Sequence, residues 1–158
     1  MKFSYLAILA VPLAICSCTT TSGSGSGGED VGAIISEDAG GVLVEGRELY
    51  LRGEMNGYEA KENYRLKKAG DGWCATAALK AEKGSYKFKF GDNLWTSGSN
   101  FGFAKSPGEV KSAADKIELN RYSKFEDLKY IMEGGDGNYD FCLLQEADKF
   151  YVTVKPAS

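Results

Sequence analysis

From about Leu49 onward the chain is written in short runs of period two, separated by turn-forming clusters, and that period restricts what it can become. Side chains alternate across a strand but recur every 3.6 residues or so around a helix, so alternating runs fold as half-buried strands. The clearest run is Gly84 to Phe90, where Tyr86, Phe88 and Phe90 share one parity and Lys87 and Lys89 the other. Burying three such rings at about 25 cal/mol per Å² contributes several kcal/mol before entropy, which fixes the register. Aromatics are then expected inward and both lysines outward.

Other segments repeat the pattern. Glu48 to Met55 sets Leu49, Leu51 and Met55 against Tyr50 and Arg52, and Asn56-Gly57 ends the run. Ala69-Gly70-Asp71-Gly72 reads as the hairpin link between Tyr64 to Lys68 and Trp73 to Lys80, where Trp73, Ala75, Ala77 and Leu79 share a face. Tyr139 to Leu144 and Phe150 to Val154 form a closing hairpin around Glu146-Ala147-Asp148. The spacing of these runs predicts an all-β sandwich. Residues 123–133 admit two readings: Ser123-Lys124-Phe125-Glu126 has the form of a capping box leading a helical face of Phe125, Leu128 and Met132, whereas Leu128, Tyr130 and Met132 also alternate. The surrounding architecture favours the strand, with a short helix or turn near Ser123 as the alternative. Val31 to Ile35 and Val42 to Val44 are apolar enough for one short edge strand, which the Gly40-Gly41 pair keeps from being long.

Length and composition remove several classes of function. At 158 residues, 43% of them hydrophobic, the chain has room for one ordinary domain. It contains no histidine, which excludes imidazole-based acid–base pairs, Ser-His-Asp and Cys-His nucleophiles, and imidazole metal sites. Neither a metal nor a cofactor is expected. With 19 basic residues against 22 acidic and a net charge of −3, no overall field attracts a phosphate backbone, and nucleic acid is not an expected partner.

The first segment reads as an address. Lys2 precedes an apolar run from Phe3 to Ile15, about 13 residues long where a membrane span needs roughly 20, so residues 1–17 are expected to be a signal peptide. Its end, Ile15-Cys16-Ser17-Cys18, resembles the bacterial lipobox, which implies lipidation at Cys18. Cys16 is the poorer acceptor, because it would put Ile15 at the cleavage position. The multi-acyl anchor that the lipobox implies would hold the protein stably on a membrane. Thr19 is not the aspartate that marks inner-membrane retention in enterobacterial lipoproteins, so the bacterial cell envelope, and its outer membrane in particular, is the expected location. The Thr, Ser and Gly tract from Thr19 to Gly28 has nothing to pack and reads as a tether within residues 18–46, ahead of a folded body at 47–158. Cys74 and Cys142 remain. In an oxidising envelope such a pair is more often a disulfide than a reactive site, and a bridge closing about 69 residues would stabilise by roughly 4 kcal/mol on the chain-entropy model.

The sequence Leu49-Tyr50-Leu51-Arg52-Gly53-Glu54-Met55-Asn56-Gly57-Tyr58, with Gly84-Ser85-Tyr86-Lys87-Phe88-Lys89-Phe90 and Trp95, resembles the family 48 carbohydrate-binding modules. These are immunoglobulin-like, early-set β-sandwiches that bind starch and glycogen beside pullulanases and isoamylases and in the β subunit of the AMP-activated kinase. Trp95 with Asn100-Phe101-Gly102 is most similar to modules of pullulanase-type amylases and starch-binding surface lipoproteins. The likeness covers residues 47–103 well and 138–154 more loosely. It implies that Tyr58 and Trp95 stack on sugar rings, that Lys89 faces the ligand and that Asn138 bonds sugar hydroxyls. Tyr58 stands where the family commonly has tryptophan.

The resemblance therefore implies a non-catalytic, lipid-anchored protein that binds an α-glucan, alone or beside a glycan-degrading enzyme or envelope protein. Two flat rings suit the apolar C–H face of a pyranose, and polar groups at the rim suit its hydroxyls. A competing expectation is a structural module that docks a protein partner after its sugar site has decayed, since fold does not fix function. In that case Trp95 caps the sandwich edge and Tyr58 is only a turn aromatic. A carboxylate-only hydrolase ranks behind both, because no pair of acids sits in a motif that would flank a glycosidic bond. Trp73 reads as packing, and Gly134-Gly135-Asp136-Gly137-Asn138 as a turn without the ligand count of a calcium loop.

Overall fold

Alternation becomes pleat in the computed structural model, which describes residues 35–38 and 41–158. The expected signal peptide, the expected lipidation site at Cys18 and the Thr/Ser/Gly tract lie outside the described residues. In chain order the strands are β1 (Ile35–Asp38), β2 (Gly41–Val44), β3 (Arg47–Glu48), β4 (Tyr50–Gly53), β5 (Lys67–Ala69), β6 (Gly72–Leu79), β7 (Ser85–Gly91), β8 (Asn100–Phe103), β9 (Glu109–Val110), β10 (Ile117–Asn120), β11 (Leu128–Ile131), β12 (Gly137–Glu146) and β13 (Lys149–Pro156). Two single-turn 3₁₀ segments, Glu62–Tyr64 and Ala81–Lys83, are the helical elements among the described residues. No helix among them is long and apolar enough to cross a membrane.

One layer runs β1-β2-β5-β6-β12-β13-β10-β8 and the other β4-β7-β11-β9. Strand β8 serves both. It pairs with β10 through Leu119↔Phe103 and with β7 through Phe90↔Phe101, so the arrangement is an open, sandwich-like all-β fold, as the strand spacing predicts. The core lies where the inward parities of the two layers meet. Phe88 of β7 packs edge-on against Phe141 of β12, with ring centres 4.8 Å apart, and Tyr130 of β11 meets Tyr139 and Phe141 of β12. Trp73, Ala75, Ala77 and Leu79 are buried along β6 while Thr76 and Ala78 are exposed, as the alternation requires. Both expected hairpins form, with β5 pairing β6 and β12 pairing β13.

On the outer face of the same slab, Cys74 of β6 stands directly opposite Cys142 of β12 and the two are bonded, with Cα atoms 4.1 Å apart. The bridge joins strands already paired over eight residues each, from Gly72↔Leu144 to Leu79↔Gly137.

Two expectations change, and one open reading is settled in favour of the strand. The folded body begins by Ile35 and not at residue 47. In place of one short edge strand within a tether, β1 and β2 pair antiparallel, β2 reaches β3 and β5, and Val42 and Val44 are wholly buried in the core. Two valines at alternate positions bury more apolar surface than a solvated tether can forgo. Residues 123–133 resolve into a turn followed by β11, which pairs with β7 along Leu128↔Phe88 to Ile131↔Ser85. The capping-box chemistry is present without a helix: the Glu126 carboxylate accepts the Lys124 and Phe125 amides and the Ser123 hydroxyl. Helix nucleation fixes several residues for one hydrogen bond, whereas β7 offers Leu128 and Tyr130 a ladder and a core at once. Finally, only one of the β7 lysines emerges. Lys87 is exposed, but Lys89 is 2% exposed, because the turn at 123–127 folds over its end of the strand.

Candidate functional site

The turn after β4 and the loop after β7 bring two aromatic side chains together. Asn56 closes the first: its Oδ1 accepts the Gly53 amide at 2.9 Å and its Nδ2 donates to Leu51 O at 2.8 Å. Asp92 closes the second, its Oδ1 accepting the Thr96 amide at 2.8 Å while Ser99 N–H bonds back to Thr96 O. The ring centres of Tyr58 and Trp95 lie 6.5 Å apart with their planes inclined at 49°. They form a tilted corner, half-buried, in place of a coplanar shelf.

Both rings sit on strained backbone. Tyr58 has φ +60° and Trp95 φ +58°, left-handed values that cost a residue with a Cβ about 1 kcal/mol or more. Arg52 holds both in place. Its Nε donates to Tyr58 O at 2.7 Å and its Nη1 to Asp92 O at 2.5 Å, while its guanidinium lies 3.6 Å from the centre of the Trp95 ring. One face of Trp95 is therefore covered. Gly91 lets the indole close onto β7, since a Cβ there would come within 2.9 Å of the ring. Burial pushes the Arg52 guanidinium below its usual range, and Asp92 opposes that shift.

Lys89 lies beside this corner, 5.9 Å from the Trp95 ring centre. Its ammonium donates to Ser123 Oγ at 2.9 Å and to Lys124 O at 3.3 Å. Burial lowers its pKa, with Asp127 and Glu126 acting against the shift. The Ser123 hydroxyl in turn donates to Glu126 Oε2 at 2.6 Å, and that bond, followed by backbone amides, holds the Glu126 carboxyl down at about 2. Tyr58 reaches across the opening and donates its phenol hydrogen to Asp127 Oδ2 at 3.1 Å; burial, and then Asp127, push the phenol pKa up, so it stays a neutral donor.

Tyr58, Lys89, Trp95, Asn100, Lys124 and Asp127 together line an open cleft of about 290 Å³. Three of the four residues assigned to sugar contact by resemblance thus converge. Asn138 does not: it stands at the start of β12 opposite Ala78, its carbonyl accepting the Ala157 amide, and it is no part of the cleft lining. The Gly134–Gly137 turn before it is fastened elsewhere, through Asp136 to the Ala81 amide and Lys80. Lys89 keeps the outward parity expected of it, but the 123–127 turn lies over it and leaves it 2% exposed at the cleft lining.

Reasoning from the sequence missed Arg52, Asn100, Lys124 and Asp127 as members of the site. Two of them carried a signal: Arg52, a cation in an alternating strand on the parity opposite to Leu51, and Asn100, through its place in the Asn100-Phe101-Gly102 motif. Phe101, next to Asn100, is a wholly buried plug, and Gly102 admits the 123–127 turn, because a Cβ there would fall 2.0 Å from Glu126 O. No group of three or more acidic or cysteine side chains among the described residues is placed to hold a metal ion. What the arrangement offers is a ring corner, a buried ammonium, a carboxylate and an amide. Compared with protein-family models, with curated proteins and with solved structures, the chain finds no match in any of the three.

Proposed function

We propose that this protein is a non-catalytic, lipid-anchored glycan-binding protein whose cleft takes an α-glucan of the starch or glycogen kind. The observation that carries the proposal is the meeting of Tyr58, Trp95 and Lys89, from two loops and a strand, around one open cleft. A pyranose would rest its C–H face on the uncovered side of Trp95 or on Tyr58, with its hydroxyls toward Lys89 and Asp127. Because one face of Trp95 is taken by Arg52 and the rings are tilted, the contact area is modest and so is the expected affinity. The strained backbone at both rings supports a binding role over mere edge-capping, since strain of this kind gathers at ligand clamps. Retardation on affinity gels cast with glycogen, amylopectin or maltooligosaccharides tests it, and unretarded migration in all three refutes it.

The anchor belongs to the same proposal. Lipid at Cys18 and a Gly/Ser tether would hold the domain at the bacterial envelope, with the outer membrane as the favoured site. A Cys18→Ser variant should leave the membrane fraction, and retention there would refute the anchor.

One observation favours a second reading, the docking of a protein partner. Leu94, Tyr122 and Phe125, the exposed large hydrophobic residues of the described chain, all lie on the two loops that flank the cleft, with Phe125 90% exposed. A stoichiometric protein captured from envelope extracts and not released by glucan would favour this reading over the first.

A further inference from the structure

The pairing of β1 fixes the end of the sandwich at which the N-terminal segment joins it. β1 runs antiparallel to β2 in the register Ile35↔Val44, so Ile35 sits where β2 finishes, beside the turn of Glu45 and Gly46. That turn packs on the loops of the cleft. Ser99 Oγ lies 3.5 Å from Val44 O, Arg47 comes within 3.9 Å of Asp92, and Arg121 pairs with Glu45. The chain before Ile35 therefore enters at the end of the molecule that carries the cleft.

Leu94, Tyr122 and Phe125, the exposed large hydrophobic residues among those described, stand at that same end. Leu94 precedes Trp95 on the loop after β7, and Tyr122 and Phe125 lie on the turn between β10 and β11, where Arg121 and Tyr122 close on Gly98. Residues 93–97 and 122–125, the two tips, carry one charge between them, the Lys124 cation. The carboxylates beside them are already engaged: Glu45 with Arg121, Asp127 with the Tyr58 hydroxyl and Glu126 with the amides of its own turn. Leucine and phenylalanine at projecting tips, a tyrosine with an apolar ring and a polar end, and a lysine make up a surface suited to a bilayer. Such side chains enter the headgroup layer while the cation meets anionic lipid. A protein is the other occupant these side chains admit, and the point of entry of the chain favours lipid.

We infer that Leu94, Tyr122 and Phe125 touch the membrane to which Cys18 would be anchored, so that the domain rests on lipid by its cleft end. This rests on the anchor reading above and goes beyond the glycan one. The stretch from Cys18 to Ile35 can span at most about 60 Å, which keeps the tips within reach of the surface that holds the lipid. Three side chains bind a bilayer weakly by themselves, and the anchor makes their contact intramolecular. The tips that touch lipid are also the rims of the cleft. A domain lying on the membrane is closed to a polymer, and glucan binding requires it to lift away.

Tryptophan quenching tests the contact, because Trp95 adjoins Leu94 whereas Trp73 is buried in the slab. A Trp73→Phe form of the full chain is reconstituted into phosphatidylethanolamine–phosphatidylglycerol vesicles, with or without bromine on the upper acyl carbons. Bromine should remove about half of the Trp95 emission, as expected for a tip seated in the headgroup layer. Changing Leu94→Ser, Tyr122→Ser and Phe125→Ser together, with folding checked by circular dichroism, should cut that quenching at least about threefold while the protein stays with the vesicles. Equal emission with and without bromine, from protein that co-sediments with the vesicles, overturns the contact and leaves the anchor standing. Full quenching in the triple variant also overturns it. Failure to co-sediment overturns the anchor and this inference together. A stoichiometric envelope protein bound by the unsubstituted tips and not by the triple variant, with no quenching by bromine, assigns the tips to a protein and overturns the lipid contact.

Discussion

The slab of β6, β12 and β13 and the corner around Tyr58 and Trp95 are built on opposite terms. In the slab, long strands pair residue by residue, the inward parity is almost wholly apolar, and a disulfide joins neighbours that the ladder already holds. In the corner, short strands give way to loops, two aromatics stand on left-handed backbone, and two cations are buried. The slab keeps its one left-handed non-glycine residue, Ala147, out in the turn between β12 and β13. The corner keeps strain and desolvated charge that add no stability of their own, and that difference marks where a ligand is to be expected.

Experiments can break the contrast or sharpen it. The largest effect should come from Phe88→Ala, which removes a ring packed on Phe90 and Phe141 at the junction of the layers. A loss of about 3–5 kcal/mol is expected in urea unfolding, and a loss under 1 kcal/mol would mean the core is not centred there. Removing the bridge with Cys74→Ser and Cys142→Ser together should cost about 2–4 kcal/mol on the chain-entropy model. The same double variant should leave glycan affinity unchanged, because the bridge faces away from the cleft; a change in affinity would show the two regions to be coupled.

Trp95→Ala reverses that pattern. Affinity for glucan should fall by about 1–2 kcal/mol in affinity electrophoresis, while the unfolding midpoint moves less than for Phe88→Ala. If stability falls as far as for Phe88, the indole is a core residue and the contrast collapses. Tyr58→Phe deletes only the hydroxyl bonded to Asp127 and should cost about 0.5–1.5 kcal/mol, read as stability or as affinity.

The smallest effect is one of pH. The Glu126 carboxyl is held at about 2 against an ordinary 4.5, chiefly by the Ser123 hydroxyl, so its native form binds fewer protons than the unfolded chain between those values. Its stabilisation is fully present above about pH 4.5 and is lost as the pH falls toward 2. Glu126→Gln should therefore flatten part of the decline in melting temperature between pH 5 and 2.5, and an unchanged slope would show that the 123–127 turn does not depend on this carboxylate.

The slab is the part that could be read without coordinates. Alternation places Trp73, Ala75, Ala77 and Leu79 inward because period two leaves each residue one choice of face, and a wrong choice would expose the whole set. The same rule gave Lys89 its correct parity. It could not give its exposure, because parity says which side of a sheet a residue takes and nothing about what lies over that side. The cover comes from residues 123–127, more than thirty positions further along the chain, admitted by the missing side chain of Gly102.

The site divides along the same line. Tyr58, Trp95 and Lys89 are legible because each belongs to a motif of short range, a turn, a loop or a strand. Asn138 was misplaced by a loose likeness after a long intervening tract, Asn100 is legible only as part of the Asn100-Phe101-Gly102 motif, and Asp127 carries no local signal.

The sequence by itself determined an all-β chain, the inward faces of its main strands, the two hairpins and the absence of imidazole chemistry. Each of these follows from residue type and local period alone. Tertiary structure decided that the body begins near Ile35, that Cys74 meets Cys142, that Lys89 is covered and that Asn100 Oδ1 has no hydrogen-bond partner among the described residues. Those facts depend on which distant segments close over which, and that is set by the total surface buried in the packed chain and by no single stretch of it.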